Sequence, residues 1–401
     1  MTALRLVLAA LLGLVLVGCS VEADRRLAAG YIEEQAGKAF YQQPNPVPPG
    51  PPGSIIRTEQ LLSAPENSVA WRVMYHTTDL TGADVVATGV VVAPTGKPPE
   101  GGRTIVGWGH PTTGSAVRCA PSSGLDPFDL VEGLHDLLAD GYVVAYADYP
   151  GMGTAGPNSY LVGVSEANSI LDVVRAARQI PETGAGTDLL LWGHSQGGQA
   201  VLFAAQGAAA YAPELTLRAA AVAAPAADLS ALLDADIGDV SGVTIGSYAF
   251  AAYQSVYAAR FPRLELNTIL TDAGAAATPK MAQLCLFGQN RDLHKIAGPL
   301  VGNYLKANPA ATEPWATMLR ENTPAATRLP VPLYVAQGES DTLVVPSVTD
   351  TFVAGQCAAG THVIYQKFPK TGHGMIALKA VPAVSSFFES VLAYDPPAST
   401  C

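Results

Sequence analysis

Between Asp188 and Ala200 a short apolar run, Leu189 to Trp192, stops abruptly at Gly193-His194-Ser195-Gln196-Gly197-Gly198, and good helix formers follow from Gln199 onward. A strand that turns at once into a helix through Gly-x-Ser-x-Gly leaves room for almost no side chain beside the serine. So sharp a turn pushes the Ser195 hydroxyl out at the carboxyl edge of a sheet. The start of the following helix then offers backbone N–H groups to any negative oxygen that forms beside it. A strand and a helix in close contact are therefore required at this point of the chain.

The surrounding pattern supplies the rest of that sheet. Residues 70–78 and 83–94 alternate with period two and read as successive antiparallel strands. Residues 103–109, 141–147, 187–193 and 219–225 are short apolar runs, followed by 331–338 and 361–368. Helical patterns lie between several of them. Leu130, Leu134, Leu137 and Leu138 recur at helix spacing, and Ser165 is placed to cap a helix whose apolar face is Ile170, Val173, Val174 and Ala177. A last helix runs from about Ala383 to Tyr394. Strands alternating with helices give an α/β class with a mostly parallel sheet covered on both faces. Residues 69–228 and 327–401 form this core.

Two stretches break the alternation. Residues 229–326 are Ala-rich and helical in character, and a hundred residues inserted late in a sheet read as a cap. Within them Tyr253, Tyr257 and Phe261 stand at i, i+4 and i+8 with Phe250 on an adjoining face, a stripe suited either to core or to an apolar pocket wall. Residues 20–68 hold a helical segment and then Tyr41–Gly53, so rich in Pro and Gly that it is extended and without regular structure. A net charge of −11 with no Lys/Arg-rich run excludes the basic footprint that nucleic-acid binding needs.

The first nineteen residues are an address. Arg5 precedes the apolar run Leu6–Val17, too short to span a bilayer and typical of a signal-peptide core. It ends in Leu16-Val17-Gly18-Cys19, similar to a bacterial lipobox; cleavage before Cys19 and lipidation of its thiol would hold the protein at a membrane surface. The expectation is an exported cell-envelope lipoprotein, with a freely secreted protein as the alternative. Export favours disulfides. Setting Cys19 aside, Cys119, Cys285, Cys357 and Cys401 allow three pairings, among which arithmetic does not choose.

A serine hydroxyl is a poor nucleophile until a base takes its proton, and the base needs a third group to fix its tautomer. In a sheet of this kind those groups follow later strands, in the order Ser, Asp/Glu, His. Asp341 comes just after the run ending at Gln337, with Glu339 as its competitor and Asp350 more distant. His373 follows the run ending at Phe368, between Gly372 and Gly374. His76, His135, His294 and His362 read as packing or surface residues, and His194 as pointing away from Ser195. For the oxyanion, one donor is the N–H of Gln196. The other comes from the loop Gly107–Gly114, where Pro111 has no N–H and Thr112 or Thr113 is left. No metal or organic cofactor is required.

On these residues the chain resembles the secretory lipase family, typified by yeast lipase A, within the α/β-hydrolase superfamily. The matching pieces are Pro52-Gly53-Ser54-Ile55-Ile56, Cys119-Ala120-Pro121-Ser122, Asp148-Tyr149-Pro150-Gly151-Met152-Gly153, Gly193–Gly198, Asp341 and His373. The resemblance implies a helical cap and the disulfides Cys119–Cys285 and Cys357–Cys401. It departs at the oxyanion loop, where yeast lipase A carries an acidic residue and this chain has Thr112-Thr113. The expected activity is a serine carboxylic-ester hydrolase acting as a monomer on acylglycerols or other small-molecule or lipid esters. The rival readings are an acyltransferase or peptidase on the same fold, and a catalytically silent lipid-binding lipoprotein.

Overall fold

The computed structural model describes residues 25–33 and 37–401, so the signal-like run and Cys19 lie outside the described residues. Among the described residues nine strands form one sheet. In chain order they are β1 Ile55–Leu61, β2 Ser68–Thr78, β3 Asp84–Pro94, β4 Arg103–Gly109, β5 Val143–Ala147, β6 Ala185–His194, β7 Thr216–Ala223, β8 Leu333–Gly338 and β9 Val363–Phe368. Their spatial order is β1-β2-β3-β5-β4-β6-β7-β8-β9. The first three and β5 pair antiparallel in sequence along the sheet, and every pairing from β5 through β9 is parallel.

Period-two geometry sorts the side chains of the central strands between two layers. Leu189 and Leu191 of β6 face α2 (Gly163–Arg178) and α3 (Gln196–Tyr211), while Leu190 and Trp192 face α1 (Leu134–Ala139) and the C-terminal helix. All three leucines are fully buried, and truncating one to Ala costs about 2–5 kcal/mol in a core of this kind. Between β7 and β8 the chain forms α4 Leu229–Asp236, α5 Val240–Val256, α6 Asp272–Met281, α7 Leu286–Ala297 and α8 Trp315–Glu321. Their apolar faces join the core layer that carries Trp108 and Trp192. Helices α9 Pro346–Ala358 and α10 His373–Leu392 complete the sheet's cover. Helix α10 alone, among the described residues, is long and apolar enough to cross a membrane by composition; here its apolar face packs on β7 and β8.

Four elements depart from expectation. Strand β1 carries no clear period-two signature, because Ile-Ile-Arg-Thr-Glu-Gln-Leu is an edge strand that buries only Leu61 fully. The leucine-spaced helix begins at Leu134, not before it, since Gly133 takes φ +84 and ends the preceding turn. Ser165 lies inside α2 and does not cap it; its hydroxyl accepts the Leu80 N–H at 3.0 Å. Helix α10 starts ten residues earlier than expected, at His373, and runs through Pro382, whose missing N–H is offset by the burial of Val381, Val384, Phe387 and Phe388.

Cys119 is bonded to Cys285 and Cys357 to Cys401, the pairing that the resemblance implied. The first bridge ties the loop after β4 to the helical insertion. Beside it Leu286 N–H donates to the Thr113 carbonyl at 2.8 Å and the Ser115 hydroxyl to the Ala282 carbonyl at 3.2 Å. The bridged cysteines are 166 and 44 residues apart, for which loop-closure entropy gives roughly 5 and 4 kcal/mol. Thermal unfolding of Cys119→Ser/Cys285→Ser should therefore show the larger loss, with the midpoint about 1 °C below that of Cys357→Ser/Cys401→Ser. The reverse order would mean that the insertion does not depend on its bridge.

Candidate active site

The parallel strands β4, β6, β8 and β9 all end at one rim of the sheet, and each delivers a piece of the site. At the end of β6, Ser195 takes φ +57 and ψ −118, a backbone conformation that costs a non-glycine residue about 1–3 kcal/mol. Neighbouring glycines make the turn possible. A Cβ on Gly193 would lie 2.3 Å from the Gly197 oxygen, and one on Gly197 would lie 1.9 Å from the oxygen of Gly109 at the end of β4. Only bare backbone lets β4, β6 and α3 meet this closely.

His373, the first residue of α10, reaches across the rim. Its Nε2 stands 2.9 Å from Ser195 Oγ and its Nδ1 2.8 Å from Asp341 Oδ2. A carboxylate can only accept, so Nδ1 carries the ring proton and Nε2 is left to receive the serine proton. Asp341 follows β8 and is 4% exposed; its other oxygen accepts the N–H groups of Leu343 and Val344, both at 2.9 Å. Burial holds the His373 imidazole below its ordinary value against the opposing pull of Asp341, so the ring is neutral near pH 7. The competitors are elsewhere: Asp350 pairs with Tyr365 and Lys367, and Glu339 is exposed at the end of the same turn.

His194 differs from expectation in part. It makes no hydrogen bond to Ser195, but its ring centroid is 4.9 Å from that of His373. Glu132 holds it there, accepting from His194 Nδ1 at 2.9 Å and from Trp108 Nε1 at 3.1 Å. Of the remaining histidines, His76 pairs with Asp84 and His362 bonds the Pro397 carbonyl. His110, in the loop after β4, stacks on Tyr149 with ring centroids 4.1 Å apart; burial pushes its imidazole down to about 4. That stacking joins the loop after β4 to the Asp148–Gly153 loop. There Asp148 accepts from Thr88 Oγ1 at 2.6 Å, Ser122 N–H at 2.8 Å and the Ser122 hydroxyl.

Gln196 begins α3, so its N–H has no carbonyl one turn back to bond. Its side chain is anchored below: Nε2 donates to Glu166 Oε1 at 2.6 Å, and the same oxygen accepts the Leu161 N–H at 2.8 Å. Burial pushes the Glu166 carboxyl up to about 8, against those two donors. Glu166 Oε2 and Gln196 Oε1 have no hydrogen-bond partner among the described residues. Glu166 Oε2 thus receives no donor to offset its burial, which favours the protonated carboxyl. Thr112 lines the cavity above Ser195 together with Gln196, its Oγ1 2.8 Å from the Tyr160 hydroxyl. Thr113 is turned away: its hydroxyl donates to the Cys119 carbonyl at 2.9 Å. The cavity has walls from α4 and α5, including Leu229, Leu232, Ile245 and Phe250, and further lining from Leu343 and Val344. Phe250 and Tyr253 thus serve as both core and cavity wall, whereas Tyr257 is buried core. No group of three or more His, Cys, Asp or Glu among the described residues is placed to hold a metal ion.

A sequence model of a family described as secretory lipase matches residues 131–399. A probable inactive lipase of Mycobacterium tuberculosis is 24% identical over 348 residues, spanning 82% of this chain and 76% of the relative. Lipase A of Moesziomyces aphidis is 27% identical over 210 residues and lipase 10 of Candida albicans 29% over 227; this chain spans only 43% and 46% of their lengths and matches them over 48% and 50% of its own. Among solved structures, lipase A of Candida antarctica in its closed state superposes with a TM-score of 0.73 at 19% identity, covering 90% of this chain and 87% of that one. The rice cell wall degrading esterase LipA of Xanthomonas oryzae gives 0.72 at 23%, covering 86% and 100%. At such identities the structural likeness speaks for the fold, an α/β-hydrolase fold.

The protonated Glu166 has a measurable consequence. The unfolded chain releases this proton near 4.5 and the folded chain only near 8, so between those values the folded state binds the extra proton and stability falls as pH rises. Glu166→Gln keeps the shape and removes the titration. Denaturant titrations should show the variant gaining on the parent by up to about 1.4 kcal/mol per pH unit from about pH 5 to 8. A constant difference over that range would show Glu166 to be ionised in the fold.

Proposed function

The chain belongs to the secretory lipase family, and on that premise we propose that it is a serine carboxylic-ester hydrolase cleaving acylglycerols or simpler fatty acyl esters through an acyl-enzyme. The observation that carries this reading is the unbroken relay from Ser195 Oγ to His373 Nε2 and from His373 Nδ1 to Asp341, with lengths of 2.9 and 2.8 Å, at the mouth of an apolar cavity. Ser195 Oγ attacks the ester carbonyl as His373 takes its proton; Asp341, held by its two backbone donors, steadies the imidazolium. The N–H groups of Gln196 and of Thr112 receive the oxyanion. His373 then protonates the departing alcohol, and a water activated by the same ring frees the acid.

The helices between β7 and β8 serve as a cap over the acyl-binding cavity. The secretory character of the family supports export, and the run Leu16–Cys19 supports a lipid anchor through Cys19 at the cell envelope. A second reading, a catalytically silent lipid-binding protein, is favoured by the name of the Mycobacterium tuberculosis relative. Against it stands the intact hydrogen-bonded relay of this chain.

A p-nitrophenyl phosphonate should label Ser195 once per chain, and Ser195→Ala should lose the label and at least about 10⁴-fold in kcat on p-nitrophenyl butyrate. Normal lipid binding with no turnover by the parent would establish the silent reading instead. The pH dependence of kcat/KM follows from the sign of the His373 shift. The ring works as a base when neutral, so activity rises with pH, with a midpoint below the ordinary 6.5. A midpoint above 6.5 would contradict a base buried in this way.

A further inference from the structure

Asp236 is the one charged residue lining the cavity above Ser195 among the described residues. Of the other polar walls, Thr112 bonds Tyr160, Tyr253 donates to the Leu161 carbonyl and Gln196 donates to Glu166, its unpartnered Oε1 being sealed from the cavity. Asp236 is 8% exposed, and its carboxyl makes no hydrogen bond or ion pair among the described residues. Its place is unfavourable to charge on three counts. It is buried, it faces the carboxylates of Asp239 and Asp341, and it is the last residue of α4, at the negative end of the helix dipole. Burial first, then those two neighbours, push it up to about 7.

The backbone keeps this carboxyl where it is. The Asp236 carbonyl accepts the Asp239 N–H at 3.0 Å, and Asp239 in turn caps α5 by accepting the Gly242 N–H at 2.9 Å. A Cβ on Gly242 would lie 1.8 Å from the Asp236 oxygen, so α4 and α5 are pressed together at this turn. Unlike the sealed oxygens of Glu166 and Gln196, those of Asp236 stay open to the cavity, where a donor on an occupant can reach them.

We infer that Asp236 is a specificity-determining residue that accepts a hydrogen bond from a hydroxyl group of the substrate, so that the preferred esters are hydroxylated ones. The inference rests on the ester-hydrolase reading of Ser195 and deepens it. The hydroxyl has two possible sources, the acyl chain of a hydroxy acid or a free position of a partly acylated polyol. Either brings the same donor to the same carboxyl.

Matched ester pairs separate these sources. In the alcohol arm, glycerol 1-butyrate is compared with propyl butyrate; in the acyl arm, methyl 3-hydroxyhexanoate and methyl 6-hydroxyhexanoate with methyl hexanoate. The full chain should show kcat/KM about tenfold or more higher for the hydroxylated member in at least one arm. Asp236→Leu should erase that preference by raising kcat/KM for the plain ester and lowering it for its hydroxylated partner, and Asp236→Asn, which still accepts, should keep part of it. Equal rates in both arms for the parent, or a preference that Asp236→Leu leaves intact, would overturn the inference. No hydrolysis of any ester, p-nitrophenyl butyrate included, would overturn the hydrolase reading itself and this inference with it.

Discussion

Everything at the rim depends on one close approach. Strand β6 can hand over to α3 at Ser195 only because Gly193, Gly197 and Gly109 bring three backbones within a distance that no Cβ allows. The strain of a positive φ at Ser195 is sustained by that packing and by the Ser195 N–H, which donates to the Ala223 carbonyl of β7 at 3.0 Å. The sheet thus fixes the hydroxyl from both neighbouring strands before any other group arrives. The helix then begins beneath it with an unpaired N–H where negative charge would form.

Around this fixed point the protein sorts its buried carboxyls by their partners. Asp341 has two backbone N–H donors and an imidazole, and holds that imidazole in place. Glu132 has an indole and a second imidazole, and packs that imidazole against His373. Glu166 has an amide and one N–H, too little to hold its charge in a dry site, and keeps its proton. Asp236 has no hydrogen-bond or ion-pair partner among the described residues. The same side-chain chemistry therefore does four different things, set by which donors the fold supplies and to which oxygens: Glu132 has one on each oxygen, Glu166 both on one.

The parts that could be read from sequence are those with a local signature. Ser195, Asp341 and His373 each follow an apolar run and sit among small residues, and strand-end geometry does not depend on what lies beyond. Alternating apolar runs likewise reveal the central strands. Strand β1 is an edge, half polar along its length, and its pairing with β2 is a property of the neighbour. Glu132, Glu166 and Asp236 lie on helical or turn segments where a carboxylate ordinarily faces water, and only tertiary packing turns them inward. Thr112 and Thr113 are adjacent in an irregular loop; no periodicity tells which faces the cavity, and the tie of Thr113 to Cys119 decides it. In α10, Pro382 looks like a helix breaker until the burial around it is known.

The central claim is that the hydroxyl of Ser195, relayed through His373, takes the acyl group of an ester. Mass spectrometry of chain mixed with p-nitrophenyl butyrate and quenched in acid within milliseconds tests it directly. The account predicts a butyryl adduct on the peptide containing Ser195, approaching one per chain when deacylation is slower than acylation and absent after His373→Ala. Rapid release of p-nitrophenol with the adduct on another residue, or an undiminished adduct in His373→Ala, would contradict it.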